Sequence, residues 1–371
     1  MLIGTFTGPS STINASTKAP GNREGFLAIS TSMPRSWFHV FRLTLLLCLA
    51  ATVQTSFAQD AEVDEQLSAT RRLFKSIGPG LRSLRRGPDG KYYLLASPSV
   101  GLVVFDSKGQ QVSVIGAPSQ EAVDNKATRS SIAFGEDCDA DAKGNIYVAD
   151  RGYNRVSVFA PDGKFLRSVV VTAPLSVVAL PDGEMAVSTV QGTRLITVYG
   201  PTGRIVRDFG EPEDLSPRSD LNRYLSLGRL ATDSAGRVYY GYTYLPEPRV
   251  RQYDRFGYAG LDFEFTGLGA WSEGRAARKE IDRLSKRTDP PSIHPILTAF
   301  GVDPVNGDIW MCLHNTLLHF DSEGIRRSEY QIYTPDGSRL EGTVLLVEED
   351  RLLIGADPLG VFEFHRPDKK Q

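Results

Sequence analysis

The chain has 371 residues, and its 35 glycines, 22 prolines, 18 phenylalanines and 14 tyrosines are typical of many short strands joined by tight turns. Its 42 basic and 44 acidic side chains give a net charge of −2, without the excess of Lys and Arg that binding to nucleic-acid phosphates requires. Length and composition therefore predict an all-β chain with a large core and little helix, and they exclude a typical nucleic-acid binder.

Residues 33–58 have the three parts of a secretory signal. Arg35 and Arg42 supply the positive start, and the apolar run at 43–53 is too short to span a bilayer. Small residues flank a cleavage site after Ala58. We therefore expect export to the periplasm or the medium, with no stable membrane span after cleavage. A buried helix and an uncleaved N-terminal anchor are the alternatives.

Residues 1–32 precede this signal and are polar, without periodicity. We interpret them as a disordered extension, or as a stretch upstream of a true start at Met33. Residues 1–58 hold four basic side chains and one acidic side chain, so the remainder would carry a net charge of −5. This mature chain is expected to be a monomer that binds no nucleic acid.

A repeat organises residues 59–371. Two glycine-containing turns recur in five units, and the two glycines of a unit are 17 to 21 residues apart. Short apolar strands separate the turns, which predicts a four-stranded unit used five times. Glycine suits both turns because tight hairpins need positive φ. The first turn contains Gly90, Gly144, Gly183, Gly236 and Gly307, and the second contains Gly109, Gly163, Gly203, Gly257 and Gly324.

A sixth unit has three strands, at 343–347, 352–355 and 361–364, before the chain ends. Residues 72–77 are predicted to supply its outer strand, because sharing a sheet between the two ends of the chain removes a free edge. The pattern therefore predicts a six-bladed β-propeller of four-stranded antiparallel blades, closed by an N-terminal strand. Aromatic residues recur in the third strands and are predicted to pack in the core.

The second unit carries the most specific residues. Its segment 139–150 contains a Gly-Asn turn and Tyr-Val-Ala-Asp, and Asn154-Arg-Val156 and 159–165 follow. These residues resemble the NHL repeat family, and the resemblance extends over about residues 71–371. It implies a six-bladed propeller of the exported bacterial type, with a shape like that of gluconolactonases. It implies little about function, because such propellers host unrelated activities.

The long connections between units fall at 117–133, 211–227, 266–296 and 334–341. In a propeller they emerge on one face, here called the loop face, together with the loops between second and third strands. The glycine turns emerge on the opposite face, here called the turn face. Binding is expected on the loop face, because elaborated loops on a rigid scaffold usually carry function. The candidate binding residues are Arg151, Tyr153, Tyr244, Trp271, Arg275, His314 and Asn315. An aromatic-rich face formed by Tyr153, Tyr242, Tyr244 and Trp271 would favour a recognition function.

The connection between units four and five contains a predicted short helix at 271–287, ended by Asp289-Pro-Pro291. Ala277, Ile281 and Leu284 form an apolar stripe along it, which fits either a functional lid or a helix that only covers strand ends. Its basic residues either contact an anionic ligand or are solvated; these residues are Arg275, Lys279 and Arg283.

No catalytic constellation, metal-ligand spacing or cofactor motif stands out in the sequence. His319 and His365 are expected to be structural. Asp139, Asp150 and Asp357 are weak calcium candidates, and we expect Asp150 and Asn154 to cap a turn instead. Cys138 and Cys312 fall in units two and five, so we expect two buried free thiols.

The preferred function is a recognition module, not an enzyme, that binds a protein, peptide or glycan outside the cytoplasm through the loop face. The alternative is a hydrolase or lyase with calcium or zinc in the central channel, as in the lactonases and the peptide-amidating lyase of similar shape. Carboxylates and histidines converging at the channel mouth would favour the alternative.

We expect the exported protein to begin at Gln59, which N-terminal sequencing of the mature form checks. Mass spectrometry of the unprocessed precursor tests the start at Met33. A precursor that contains any earlier residue would overturn that start, and a mature form that keeps 43–53 would establish an anchor.

Overall fold

A computed structural model describes residues 65–97, 101–117, 127–265 and 272–369. These residues form a six-bladed β-propeller, in which each blade is an antiparallel sheet of four strands. None of the helices within these ranges is long and apolar enough to cross a membrane. The predictions for residues 1–32 and 33–58 lie outside the described ranges.

Blades one to three follow each other along the chain, and each runs from an inner strand at the channel to an outer strand. Blade one contains β3 (Leu81–Arg86), β4 (Tyr92–Ala96), β5 (Leu102–Phe105) and β6 (Gln111–Ile115). Blade two contains β7 (Gly135–Ala140), β8 (Ile146–Asp150), β9 (Arg155–Phe159) and β10 (Phe165–Val170). Blade three contains β11 (Pro174–Ala179), β12 (Met185–Thr189), β13 (Ile196–Tyr199) and β14 (Ile205–Phe209).

Blades four to six have the same order, and the first two strands of the chain join the last two blades. Blade four contains β15 (Gly228–Thr232), β16 (Val238–Tyr242), β17 (Arg249–Tyr253) and β18 (Ala259–Glu264). Blade five contains β19 (Ala299–Val302), β20 (Ile309–Leu313), β21 (Thr316–Phe320) and β22 (Arg326–Tyr333), with β1 (Glu65–Ser68) added at its edge. Blade six contains β23 (Val344–Val347), β24 (Arg351–Ala356), β25 (Gly360–His365) and β2 (Arg71–Leu73).

The N-terminal strand closes the ring as predicted, since β2 pairs antiparallel with β25. The strand is shorter than the predicted 72–77. It ends at Leu73 because Phe74 turns to φ 46° and packs its ring 5.1 Å from Tyr92 and 4.9 Å from Phe105, in blade one. Strand β1, which the sequence analysis did not predict, runs parallel to β22.

Within the described ranges, the connections between blades contain three α-helices: α1 (Ala127–Ser130), α2 (Ser219–Leu225) and α3 (Ser272–Leu284). The last of these confirms the helix predicted between blades four and five. Ala277, Ile281 and Leu284 are buried, so the apolar stripe packs onto the propeller.

The predicted turns are confirmed, because all ten repeat glycines have φ between 75° and 94°. A second signal lies three residues before many of these glycines. The carboxylate of Asp141, for example, accepts hydrogen bonds from the backbone amides of Lys143 (2.9 Å) and Asn145 (2.8 Å). Aspartate thus fixes the turn that glycine permits.

The core lies between neighbouring blades, where each large side chain contributes about 1.5–3 kcal/mol by burial. Cys138 and Cys312 are fully buried free thiols as predicted, and burial raises the pKa of each to about 12. The recurring third-strand aromatics are at most 9% exposed, as expected for core residues; they are Phe105, Phe159, Tyr199, Tyr253 and Phe320.

The inner strands meet at a buried carboxylate in the channel, that of Asp137 on β7. It accepts hydrogen bonds from the hydroxyls of Ser83 (2.6 Å) in blade one and Ser176 (2.5 Å) in blade three. The Ser176 hydroxyl in turn accepts a bond from the Leu230 amide (3.0 Å) in blade four. Four of the six blades are therefore linked by one polar network around Asp137.

We expect Asp137→Ala to lower the free energy of unfolding by about 3 kcal/mol, because it leaves buried donors without an acceptor. Asp106→Ala is the matched control. Its carboxylate accepts two backbone amides in an exposed turn, so about 1 kcal/mol is expected there. Urea unfolding measures both values, and equal losses would contradict the special role of the channel carboxylate.

Candidate functional site

Three arginines surround one buried carboxylate at the loop-face end of the channel. Glu136 is 5% exposed, and its carboxylate lies 3.1 Å from a guanidinium nitrogen of Arg82 and 3.1 Å from one of Arg151. Arg229 approaches the same carboxylate at 3.9 Å. Three positive charges against one negative charge leave the cluster with a net charge of +2.

The blade geometry places these side chains together. Arg82, Glu136 and Arg229 each occupy the second position of an inner strand, in blades one, two and four. The inner strands begin on the loop face, so all three residues lie at that end of the channel. Arg151 reaches the cluster from the loop that follows β8.

Backbone and aromatic contacts hold the arginines in place. Arg229 donates hydrogen bonds to the backbone carbonyls of Glu136 (3.0 Å) and Leu175 (3.1 Å). The guanidinium carbons of Arg82 and Arg151 lie 3.8 and 5.0 Å from the ring centroid of Phe134. The most exposed of the three arginine side chains is Arg151 at 44%, followed by Arg229 at 35%. The cluster is thus preorganised and reachable from the loop face.

Two of the predicted binding residues belong to this region, Arg151 and Tyr244. The Tyr244 ring is half-buried, with its centroid 4.6 Å from that of Tyr224. Burial, and then Tyr224, raise the pKa of Tyr244 to about 12, and the charges of Arg229 and Glu136 also act on it. Its hydroxyl therefore stays protonated near neutral pH.

Other predicted residues lie elsewhere or have local roles. Tyr153 is 42% exposed, and the Arg155 guanidinium lies 4.7 Å from its ring centroid. The Asn315 side chain donates to the Gln331 side chain (2.6 Å), within blade five. Trp271 lies outside the described residues.

Tyr242 does not contribute to an aromatic face at the surface. Its side chain is buried, and its hydroxyl accepts a hydrogen bond from Arg251 (2.8 Å) and donates one to Glu213 (3.2 Å). It terminates the second strand of blade four, where the aromatic ring fills the space below α2 and α3.

His314 lines a separate cavity of about 390 Å³ between α3 and residues 292–296. Its lining combines apolar residues such as Ala277 and Ile293 with polar ones such as His294 and Glu280. Arg275 lies on the exposed side of α3. Of the predicted loop-face residues, Arg151 and Tyr244 therefore belong to the region of the arginine cluster, and His314 belongs to this separate cavity.

Asp150 and Asp357, two of the three aspartates considered as weak calcium candidates, accept hydrogen bonds from backbone amides. Asp150 accepts hydrogen bonds from the amides of Ala133 (3.2 Å) and Phe134 (2.9 Å), and Asn154 accepts one from Ala173 (2.8 Å). Both side chains thus bond backbone amides, but these amides lie 16 to 19 residues away, in the connections before β7 and β11, and not in the turn after β8 as expected. Asp357 accepts a hydrogen bond from the backbone amide of Gly80 (2.6 Å).

Among the described residues, Asp308, His319 and Asp368 form the group whose ligand atoms lie close enough, within 4.8 Å, to share a metal ion. None of them is on an inner strand. The His319 ring stacks on Trp310 at 4.0 Å and bonds Asp308 (3.2 Å), and burial lowers its pKa. Asp368 pairs with buried Arg366 (2.6 Å). These contacts fit the structural role expected for His319.

The sequence analysis missed Arg82, Glu136 and Arg229. One signal could have found them: each places a charge at the second position of an inner strand, where blades three, five and six have Leu175, Phe300 and Leu345. A charge at this position indicates a site only once the fold shows that three of them, from different blades, come into contact.

The fold and the cluster define a six-bladed β-propeller with a basic channel mouth on its loop face. Comparison with solved structures finds the same fold in a protein from Bacteroides fragilis that has been assigned to the exported proteins, at 12% identity over 82% of this chain and 93% of that protein (TM-score 0.53). A gluconolactonase from Xanthomonas campestris matches at 14% identity over 83% and 96% (TM-score 0.50).

At these identities the likeness shows the fold alone. No family model and no curated protein matches the sequence, so the resemblance to NHL repeats rests on the repeat residues themselves.

We expect Glu136→Gln to lower the melting temperature at low salt, because it leaves three neighbouring arginines without their shared carboxylate. Sulfate should restore stability more in this variant than in the parent protein, by binding the arginines. Thermal unfolding across a sulfate series measures the effect. Glu184→Gln, which removes the partner of Arg207 alone, is the control, and an equal sulfate response in both variants would count against a strong anion site.

Proposed function

We propose that this protein is an exported recognition module that binds a carboxylate-bearing peptide, protein segment or glycan at the arginine cluster of its loop face. The observation that carries the proposal is the ratio of three arginines to one carboxylate around Glu136. A ligand carboxylate would supply part of the missing negative charge.

The chemistry of the cluster suits carboxylate recognition. A guanidinium group binds a carboxylate through two parallel hydrogen bonds, and a partly buried pair is screened less than an exposed one. Arg151 and Arg229 are exposed enough to be contacted, while Glu136 and the backbone carbonyls restrict their motion. Restricted side chains lose little entropy on binding, which favours affinity.

Neighbouring groups would give the site selectivity beyond charge. The half-buried Tyr244 offers an aromatic face and a protonated hydroxyl, and Phe134 lies beneath two of the arginines. Amphipathic aromatic residues beside arginines are typical of binding hot spots. A ligand with a carboxylate attached to a sugar ring or to a peptide backbone would use both kinds of contact.

Isothermal titration with hexaglutamate and with a hexameric oligogalacturonate tests the proposal, with hexaglutamine and cellohexaose as neutral probes. We expect at least one anionic probe to bind, and Arg151→Ala and Arg229→Gln each to raise its dissociation constant by about tenfold, because each removes a charge-assisted contact. Binding should also weaken with added salt.

Arg204→Ala is the matched control, since Arg204 is an exposed arginine in a glycine turn on the opposite face. It should leave the dissociation constant unchanged within about twofold, because it lies far from the cluster along the strands. Equal binding of the neutral probes, or equal effects of all three substitutions, would refute recognition at the cluster.

A further inference from the structure

A cavity separate from the one beside α3 opens at the turn-face end of the channel, opposite the arginine cluster. Its volume is about 750 Å³, within the range of small-molecule sites. Residues from the inner strands of all six blades line it, so it is the turn-face mouth of the channel itself. Its wall is largely built from small or apolar side chains, including Ala179, Ala231, Phe300 and Leu346.

The charges of this cavity are the reverse of those at the loop face. Six carboxylates line it against two arginines, Arg85 and Arg86. Most of the carboxylates have partners: Asp141, Asp233 and Asp303 bond the amides of their turns, and Glu348 pairs with Arg86 and Arg351.

Asp139 differs from these neighbours. It accepts a hydrogen bond from the backbone amide of Ala179 (2.8 Å), yet no Lys, Arg or His nitrogen of the described residues lies within ion-pair distance of its carboxylate. The nearest candidate, Arg85, directs its guanidinium to Asp137 (3.4 Å) and to the backbone carbonyl of Leu230 (3.3 Å). A charge in a channel without a counter-ion is costly, and such a group marks a candidate binding site.

We propose that the turn-face mouth of the channel binds a small organic cation, a primary amine on an apolar chain, with Asp139 as its counter-ion. The ammonium group would supply the positive charge that the cavity lacks at Asp139. The alkyl chain would lie against the apolar wall. This site is separate from the arginine cluster, and it does not depend on the function proposed there.

The site should respond to pH through Asp139. Burial raises the pKa of this carboxyl to about 6, against an opposing effect of Arg85 on β3. Asp137 on the same strand adds to the rise, and the Ala179 amide of β11 bonds the carboxyl. In the strand register, Asp139 lies opposite Tyr147 of β8, whose hydroxyl bonds Asp141 instead. An amine stays protonated throughout this range, so binding should weaken as pH falls through 6 and the carboxylate is neutralised.

Isothermal titration with 1,5-diaminopentane tests the proposal on the protein from Gln59 to Gln371. We expect binding at pH 7.5 that is about tenfold weaker at pH 5, one unit below the pKa of Asp139. Asp139→Asn keeps the shape and the acceptor for Ala179, and it should raise the dissociation constant at least tenfold and remove the pH dependence.

Three comparisons make the outcome decisive. Pentanol, which has the chain without the charge, should not compete. Asp162→Asn, at an exposed turn-face carboxylate that does not line the cavity, should bind the diamine as the parent does. Arg151→Ala should also bind it normally, which separates this site from the arginine cluster. Absence of diamine binding, equal binding by Asp139→Asn, or tighter Asp139-dependent binding of calcium would overturn the amine assignment. The pH series on the unsubstituted protein remains a test if Asp139→Asn fails to fold.

Discussion

The closed ring depends on a carboxylate that is buried where the blades converge. Asp137 accepts hydrogen bonds from hydroxyl groups of both neighbouring blades, and through Ser176 its network reaches the inner strand of blade four. Apolar packing between blades supplies most of the stability but is tolerant of small rotations, whereas hydrogen bonds of 2.5–3.0 Å are directional. The network therefore fixes the angles at which the blades meet, and with them the positions of the charged groups at both ends of the channel.

One strand gives this channel its polarity. Along β7 the acidic residues Glu136, Asp137 and Asp139 occupy three different environments. Glu136 lies under three arginines, and Asp137 accepts hydrogen bonds from serine hydroxyls. Asp139 accepts a hydrogen bond from a backbone amide and has no ion-pair partner among the described residues. The same chemical group thus serves as a counter-ion, a structural link and an unpaired charge, because each position faces different blades.

The features that the sequence predicted are local and repeated. Turn glycines such as Gly144, and core aromatics such as Phe159, reveal themselves because each recurs at the same place in successive units. The features that it missed need long-range geometry. Arg82 and Arg229 are separated by most of three blades in sequence yet share Glu136, and β1 has no repeat to predict its pairing with β22. The burial of individual tyrosines also depends on the direction in which each side chain packs, and for this reason Tyr242 is buried while Tyr153 is exposed.

Closure by the N-terminal strands sets the order in which this chain can complete its fold. Thr70 bonds Glu363, 293 residues further along, and β1 and β2 find their partners only in the last two blades. During synthesis, β1 and β2 must therefore wait until blades five and six have been made, while blades one to four can form from neighbouring segments. Such distant pairing costs loop-closure entropy and slows folding. The last blade is thus both the last to be made and the one that turns an open, curved array into a ring.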